Sequence, residues 1–218
     1  MTTTRIYRST DTSAPVLTGQ VGSFKDLLKK VLYGDGFGVA YGVGPSQKTA
    51  AGWSVGFESG NKIALRNALS AGGTGFYLRI DDNGGTAAGA KEAMMIGYLS
   101  MSDIDTGVNP TPTAAQMTNG APVRKSETLD ATARPWVIVA DELGFWMHIQ
   151  SNPASASLDG LYGAGDLDSF VPGDAYRFYV LGRSLANSGS GASHFIVAAS
   201  GFNVSTTTGC WIGRSYTQ

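Results

Sequence analysis

The sequence predicts a mainly β protein: an antiparallel sandwich or barrel with one amphipathic helix near the N-terminus. Three observations lead to this fold class. Apolar and polar residues alternate with a period of two in about ten short segments, as half-buried strands do. Links rich in Gly, Pro and Asn separate these segments, a pattern typical of antiparallel sandwiches and barrels. One stretch has the period of a helix instead.

The predicted strands follow one another along most of the chain. Residues 135–140 and 144–150 form an apolar pair around a short turn, which predicts a hairpin. Both faces of the 135–140 strand are apolar, so we expect it to be covered on two sides. The other predicted strands are 5–8, 53–57, 62–69, 76–80, 93–101, 123–125, 176–182, 195–199 and 210–213.

The helix is predicted at about residues 23–33. Its apolar side chains recur at three- and four-residue spacing and therefore share one face. Ser23 can cap the first turn, with Asp26 at the position of a capping box, and Gly34 can end the helix. We expect the helix to cover one sheet face or one end of a barrel. The apolar stripe consists of Phe24, Leu27, Leu28, Val31 and Leu32.

Residues 34–50 are predicted to form a long Gly-rich loop, and 81–89 and 102–113 two further loops. In the first, four apolar side chains alternate with glycine or alanine, so an extended backbone would place them on one side. Because exposed aromatic area is unfavourable in water, this loop either folds over its own core or docks on another subunit. The candidate interface residues are Phe37, Val39, Tyr41 and Val43.

The 218-residue chain is nearly neutral, with 16 Lys and Arg, 17 Asp and Glu, and a net charge of −1. This balance provides no long-range field to attract nucleic acid or anionic lipid, so neither is expected as a partner. Only 15% of the residues are charged, against about 25% in typical globular domains. Such a surface can pack against copies of itself at little desolvation cost. The length fits a single β-rich domain over residues 1–218.

No targeting or membrane segment is predicted. Residues 1–5 lack the apolar run of a signal peptide, and no stretch approaches 18 consecutive apolar residues. We therefore expect synthesis in the cytoplasm and no membrane partner. Cys210 is the only cysteine, which excludes an intramolecular disulfide and a CxxC metal site.

The residues that could carry catalysis form no recognisable constellation. A triad needs a nucleophile, a base and an orienting acid, and His148 and His194 are the only histidines. We expect His148 to be a structural residue within a strand, His194 to lie at a strand entry, and Cys210 to be buried. The prediction is a protein that is not an enzyme and has no cofactor or metal.

Asp81, Asp82 and Asn83 open one of the predicted loops. A calcium ion takes six to eight oxygen ligands, and these three residues supply at most part of such a shell. We expect them to form Asx turns at the end of a strand.

Several short sequence motifs, and the order in which they occur, resemble those of a family of virion proteins from tailed bacteriophages and prophages. The resemblance extends to about residue 184. The motifs on which the resemblance depends are RIYRSTDTSAPVLTG (5–19), AAGW (50–53), FYLRIDD (76–82), GYLSMSDIDTG (97–107), TPTAAQ (111–116), ARPWVIVAD (133–141) and GDLDSFVPGDAY (165–176).

This resemblance implies a structural component of a phage particle without catalytic activity. Its expected location is the virion, after synthesis in the cytoplasm of the bacterial host. The expected partners are other virion proteins and copies of itself in a symmetric homo-oligomer. Head decoration, neck or collar, and tail or baseplate all remain open as positions.

A carbohydrate- or receptor-binding β-sandwich module is the alternative function. Tryptophans on a sandwich face can stack on sugar rings, and the carboxylates and amide of residues 81–83 can hydrogen-bond to hydroxyls. Packing in a core is the commoner use of tryptophan in strands. The candidate platforms are Trp53, Trp136, Trp146 and Trp211.

Overall fold

Antiparallel β-strands dominate the computed structural model, which describes residues 2–83, 91–154, 159–183 and 194–197. The predicted mainly β class is confirmed. The strands are β1 (Arg5–Arg8), β2 (Val39–Tyr41), β3 (Lys48–Thr49), β4 (Ser54–Ser59), β5 (Lys62–Arg66), β6 (Tyr77–Asp81), β7 (Glu92–Tyr98), β8 (Ser100–Asp103), β9 (Thr106–Val108), β10 (Ala121–Arg124), β11 (Trp136–Ala140), β12 (Gly144–Gln150), β13 (Asp159–Asp166), β14 (Phe178–Arg183) and β15 (His194–Val197).

Two large sheets form a sandwich. The first sheet has the order β1–β11–β12–β13–β14–β15, and the second has the order β10–β7–β6–β5–β4. Neighbouring strands in both sheets are antiparallel, and the predicted β11–β12 hairpin is confirmed with Ala140 opposite Phe145. Two small hairpins, β2–β3 and β8–β9, lie outside the large sheets. Within the described residues both sheets are open, so of the two predicted architectures the chain adopts the sandwich.

The core lies between the two sheets. Phe76, directly before β6, stacks on Phe178 of β14, with ring centroids 4.7 Å apart and planes 3° from parallel. Trp53 meets Phe76 edge-on at 5.7 Å. Gly97 of β7 makes this packing possible, because a Cβ there would lie 2.8 Å from the Phe178 ring. One apolar cluster therefore joins the two sheets.

The predicted helix begins at the expected residue and buries the predicted stripe. It comprises α1 (Ser23–Leu28) and a π-helical turn at Lys29–Tyr33 that lies against β2, β4 and β5. Gly34 ends it at a φ of 82°, as predicted. All five side chains of the stripe are fully buried in the common core.

Replacing Leu28 by alanine is expected to lower the free energy of unfolding by about 2–5 kcal/mol, because it opens a cavity under the helix. Chemical denaturation of the purified protein measures the change. Leu129→Ala is the matched control, since Leu129 is exposed and its truncation should cost no more than about 0.5 kcal/mol. Equal losses in the two variants would contradict the observed burial.

The predicted cap of the helix is wrong. Gly22 precedes α1 at a φ of 86°, and neither Ser23 nor Asp26 caps it. The Ser23 hydroxyl instead donates to the Thr18 carbonyl at 2.9 Å. Two N–H groups of the first helical turn, those of Phe24 and Lys25, donate to Oδ2 of Asp82 at 2.8 and 3.2 Å. A carboxylate 58 residues away in the chain thus replaces the local cap.

Asp82 also forms an ion pair with Lys125, and both side chains are fully buried. The Lys125 ammonium donates to Oδ1 of Asp82 and, at 2.7 Å, to the carbonyl of Gln20. Burial raises the pKa of Asp82 and lowers the pKa of Lys125, while the opposite charge of each partner acts against these shifts. The pair joins the start of α1, the end of β6 and the segment that follows β10.

The loop and strand predictions need four corrections. Residues 34–50 contain the β2–β3 hairpin, residues 102–113 contain β9, and β13 was not predicted at all. The expectation that the 135–140 strand is covered on both sides is wrong within the described residues, because Val137 of β11 is exposed. The predicted strand at 210–213 lies outside the described residues.

Candidate functional site

The four candidate interface residues do not share one surface. Phe37 is 93% exposed and Val43 80%, whereas Val39 is partly buried. Tyr41 is only 6% exposed. Its hydroxyl donates to Oδ2 of Asp11 at 2.8 Å, and burial together with this aspartate raises the pKa of Tyr41. The Tyr41 side chain therefore packs within its own subunit. This corrects its prediction as an interface residue.

Glycine geometry explains why the side chains separate. Gly36, Gly38 and Gly42 have φ values of 90°, 89° and 80°, respectively. Each departs from the extended backbone on which the alternation of sides depends. The loop also packs on the common core, since Ala40 and Ala50 are buried in it. The hairpin consequently turns Tyr41 inwards and leaves Phe37 and Val43 in solvent.

A second exposed apolar loop joins β13 to β14. Phe170 is 107% exposed, and Val171 beside it is also exposed. The loop is tied by hydrogen bonds, because the Ser169 hydroxyl donates to Oδ2 of Asp174 at 2.7 Å and the Tyr176 N–H to Oδ1 at 3.0 Å. Phe170 was not among the predicted interface residues. It lies in the run Ser-Phe-Val-Pro-Gly-Asp, whose turn-forming residues could have indicated an exposed loop.

The outer face of the first sheet carries a third group of apolar side chains. Cross-strand register places Ile6 and Trp146 on either side of Val139, and Val137 and Leu161 on either side of His148. Exposed apolar side chains grouped on one face of a sheet favour a binding role. The exposed members of the outer face are Ile6, Val137, Trp146 and Leu161.

The tryptophans differ in their environments. Trp53 and Trp136 are buried, and their indole N–H groups donate to the carbonyls of Asp141 at 2.9 Å and Pro15 at 3.1 Å. Neither can be a platform for a sugar. Trp146 is 39% exposed on the outer face. Trp211 lies outside the described residues.

The 81–83 run serves the fold instead of a ligand. Oδ1 of Asp81 accepts the N–H of Asn83 at 3.2 Å, which forms the predicted Asx turn. Asp82 is buried at the start of α1 and does not reach solvent. The three side chains therefore present neither a calcium shell nor a common sugar-binding surface.

Of the remaining candidates for catalysis, His148, His194 and Cys210, the structure describes the side chain of His148. His148 lies in β12 on the exposed face it shares with Trp146. The backbone of His194 begins β15, whereas its side chain and Cys210 lie outside the described set. In the described part of the chain, no three His, Cys, Asp or Glu side chains cluster as a metal site would require.

An open cavity of about 460 Å³ lies beside Trp146, at the end of the β11–β12 hairpin. The side chain of Asp166, at its wall, is 2% exposed and accepts hydrogen bonds from Thr74 N and Oγ1 at 2.6 and 2.8 Å. Oδ1 of Asp141 accepts the N–H groups of Leu143 and Gly144 at 2.8 and 3.0 Å. These bonds fix two carboxylates next to an exposed indole.

Comparison with protein-family models, curated proteins and solved structures finds no match for this chain. Among the described residues, no helix has the length and apolar character needed to cross a membrane.

Proposed function

We propose that this protein is a structural subunit of a tailed-bacteriophage particle, in the head, neck or tail, and acts through protein–protein contacts instead of catalysis. Phe37 and Phe170 carry the proposal: two phenylalanines, on two hydrogen-bonded loops, lie almost entirely in solvent. Burying a fully exposed phenylalanine contributes about 1.5–3 kcal/mol. Folding of the subunit does not gain this free energy, because both rings stay in solvent, so it remains available for binding a partner.

Three further features support an assembly role. Val43 and Val171 extend the two exposed sites, and Ile6, Val137 and Leu161 on the outer face of the first sheet add a third apolar surface. Several apolar sites on one subunit suit a particle in which each subunit meets more than one neighbour. The low charge keeps the desolvation cost of such contacts small. The resemblance of its short sequence motifs to those of phage virion proteins indicates the kind of particle.

The expected partners are other virion proteins and copies of this chain in a symmetric oligomer. Light scattering on the purified protein measures self-association directly. Antibody labelling of purified particles tests location in the virion. Absence of the protein from purified particles would refute the proposed function.

Phe37→Ser and Phe170→Ser are expected to reduce incorporation into particles while leaving the melting temperature of the purified protein unchanged. Neither ring is buried in its own subunit, and surface substitutions change stability by no more than about 0.5 kcal/mol. Complementation of a phage that lacks the gene, followed by quantitative mass spectrometry of particles, measures incorporation. Leu129→Ser is the control because Leu129 is exposed outside these loops. Full incorporation of both phenylalanine variants would contradict these contacts.

A further inference from the structure

We infer that Trp146 and the cavity beside it form a binding site for a neutral saccharide, a role separate from the assembly contacts. Trp146 lies on β12 opposite Gly163 of β13, which has no side chain to cover the indole. Tyr179 of β14 crosses this gap. Its hydroxyl donates to the Phe145 carbonyl at 3.4 Å, and its ring stacks on Trp146 at 5.2 Å and 30°. Tyr179 thus holds the indole in place by stacking on it, and the indole remains partly exposed to solvent.

The glycines of β13 are required by this arrangement. A Cβ on Gly163 would lie 2.5 Å from the Phe145 carbonyl oxygen, and a Cβ on Gly165 would lie 2.5 Å from Cα of Gly144. Side chains at either position would push β12 and β13 apart. The close approach of these strands lets Tyr179, which is buried, reach the indole. The platform is therefore pre-organised before any ligand arrives.

The cavity beside the platform has the chemistry of a hydroxyl-binding site. Its volume of about 460 Å³ falls within the usual range of roughly 300–1,000 Å³ for small-molecule sites. Its lining includes the hydroxyl residues Thr2 and Thr4 and the acidic residues Asp141, Asp166 and Asp168. Ionised carboxylates only accept hydrogen bonds, and sugar hydroxyls supply donors.

Two of these carboxylates have oxygen atoms that can accept hydrogen bonds from a ligand. Oδ2 of Asp141 has no hydrogen-bond partner among the described residues, since both turn N–H groups bond to Oδ1. Asp168 lines the cavity and is exposed. A pyranose that stacks its C–H face on Trp146 can direct its edge hydroxyls to these oxygens.

The charge of the lining selects among ligands. None of the described residues that line the cavity is Lys, Arg or His, whereas three are aspartates. Phosphates, sulfates and acidic sugars are therefore repelled. A quaternary ammonium ion would suit carboxylates, but recognition by aromatic residues uses a cage of several rings. Among the described residues that line this cavity, Trp146 is the only exposed aromatic one, and Tyr179, which stacks on it, is buried. This favours a neutral sugar.

The test uses purified full-length protein on an array of neutral gluco-, galacto- and manno-oligosaccharides, followed by calorimetric titration of the best neutral glycan. Trp146→Ala is expected to lower the affinity about tenfold or more, as truncation of a hot-spot tryptophan does. Leu161→Ala is the matched control, because Leu161 is exposed on the same face but does not line the cavity. It should leave the affinity unchanged.

Asp168→Asn keeps the test decisive if Trp146→Ala fails to fold. Asp168 is exposed, so its substitution leaves the fold intact and should still lower the affinity for the neutral glycan several-fold. The proposal is overturned if no neutral glycan binds, if only acidic glycans bind, or if Asp168→Asn binds like the wild type. It is also overturned if choline binds at Trp146 and the neutral glycans do not. These measurements need no particle, so their outcome is independent of the assembly experiments.

Discussion

Replacing Lys125 by methionine is expected to lower the free energy of unfolding by about 3–5 kcal/mol, because it leaves a buried carboxylate without its cation. Methionine has a similar length but no charge. Asp82 would keep the two N–H donors at the start of α1, from Phe24 and Lys25. Two hydrogen bonds do not replace a cation around a group that is 0% exposed. Urea denaturation at neutral pH measures the loss.

The pH dependence of this loss has a definite sign. Burial already raises the pKa of Asp82, and removal of the ammonium raises it further. A carboxyl group whose folded pKa exceeds its unfolded pKa favours the folded state at low pH and loses that contribution as pH rises through the folded pKa. The stability difference between Lys125→Met and the wild type should therefore shrink in acid.

Lys62→Met is the matched control for Lys125→Met. Lys62 pairs with Asp105 at 2.8 Å, but these side chains are 26% and 53% exposed. An exposed pair contributes about 0–1 kcal/mol, so this variant should remain close to the wild type. A loss in Lys125→Met no larger than that in Lys62→Met would contradict the role assigned to the buried pair.

Sequence patterns predict elements whose signal is local. The β11–β12 hairpin and the stripe of α1 follow from periodicity within a few residues, and both are confirmed. β13 was missed because Gly163 and Gly165 remove the side chains whose alternation would have marked a strand. Their function is to let β12 and β13 approach closely, and only the folded sheet shows that requirement.

Long-range partners explain the remaining differences. The cap of α1 comes from Asp82, and no pattern near Ser23 could indicate it. The strand at 135–140 is apolar on both faces, so its sequence could not say that Val137 would be exposed. The candidate interface stays a prediction: Phe37 and Val43 are exposed, and the alternation could not show that Tyr41 turns inwards to Asp11.

Replacing Phe76 by alanine is expected to lower the free energy of unfolding by about 3–5 kcal/mol, the usual cost of a phenylalanine cavity in a core. Phe76 is fully buried and stacks on Phe178 of the opposite sheet at 4.7 Å. Its loss also removes the edge contact with Trp53 at 5.7 Å. The two sheets lose a shared aromatic contact, and Gly97 beside Phe178 has no side chain to fill the space. Urea denaturation with Trp fluorescence measures the loss.

Phe57→Ala separates this inter-sheet effect from the general loss of an aromatic ring. Phe57 is only partly buried and contacts Tyr77 of its own sheet at 6.0 Å, so its truncation should cost clearly less. Phe76→Leu should fall between Phe76→Ala and the wild type, because leucine fills part of the cavity but cannot stack. If Phe57→Ala were as destabilising as Phe76→Ala, the Phe76–Phe178 stack would not be the contact that holds the sheets together.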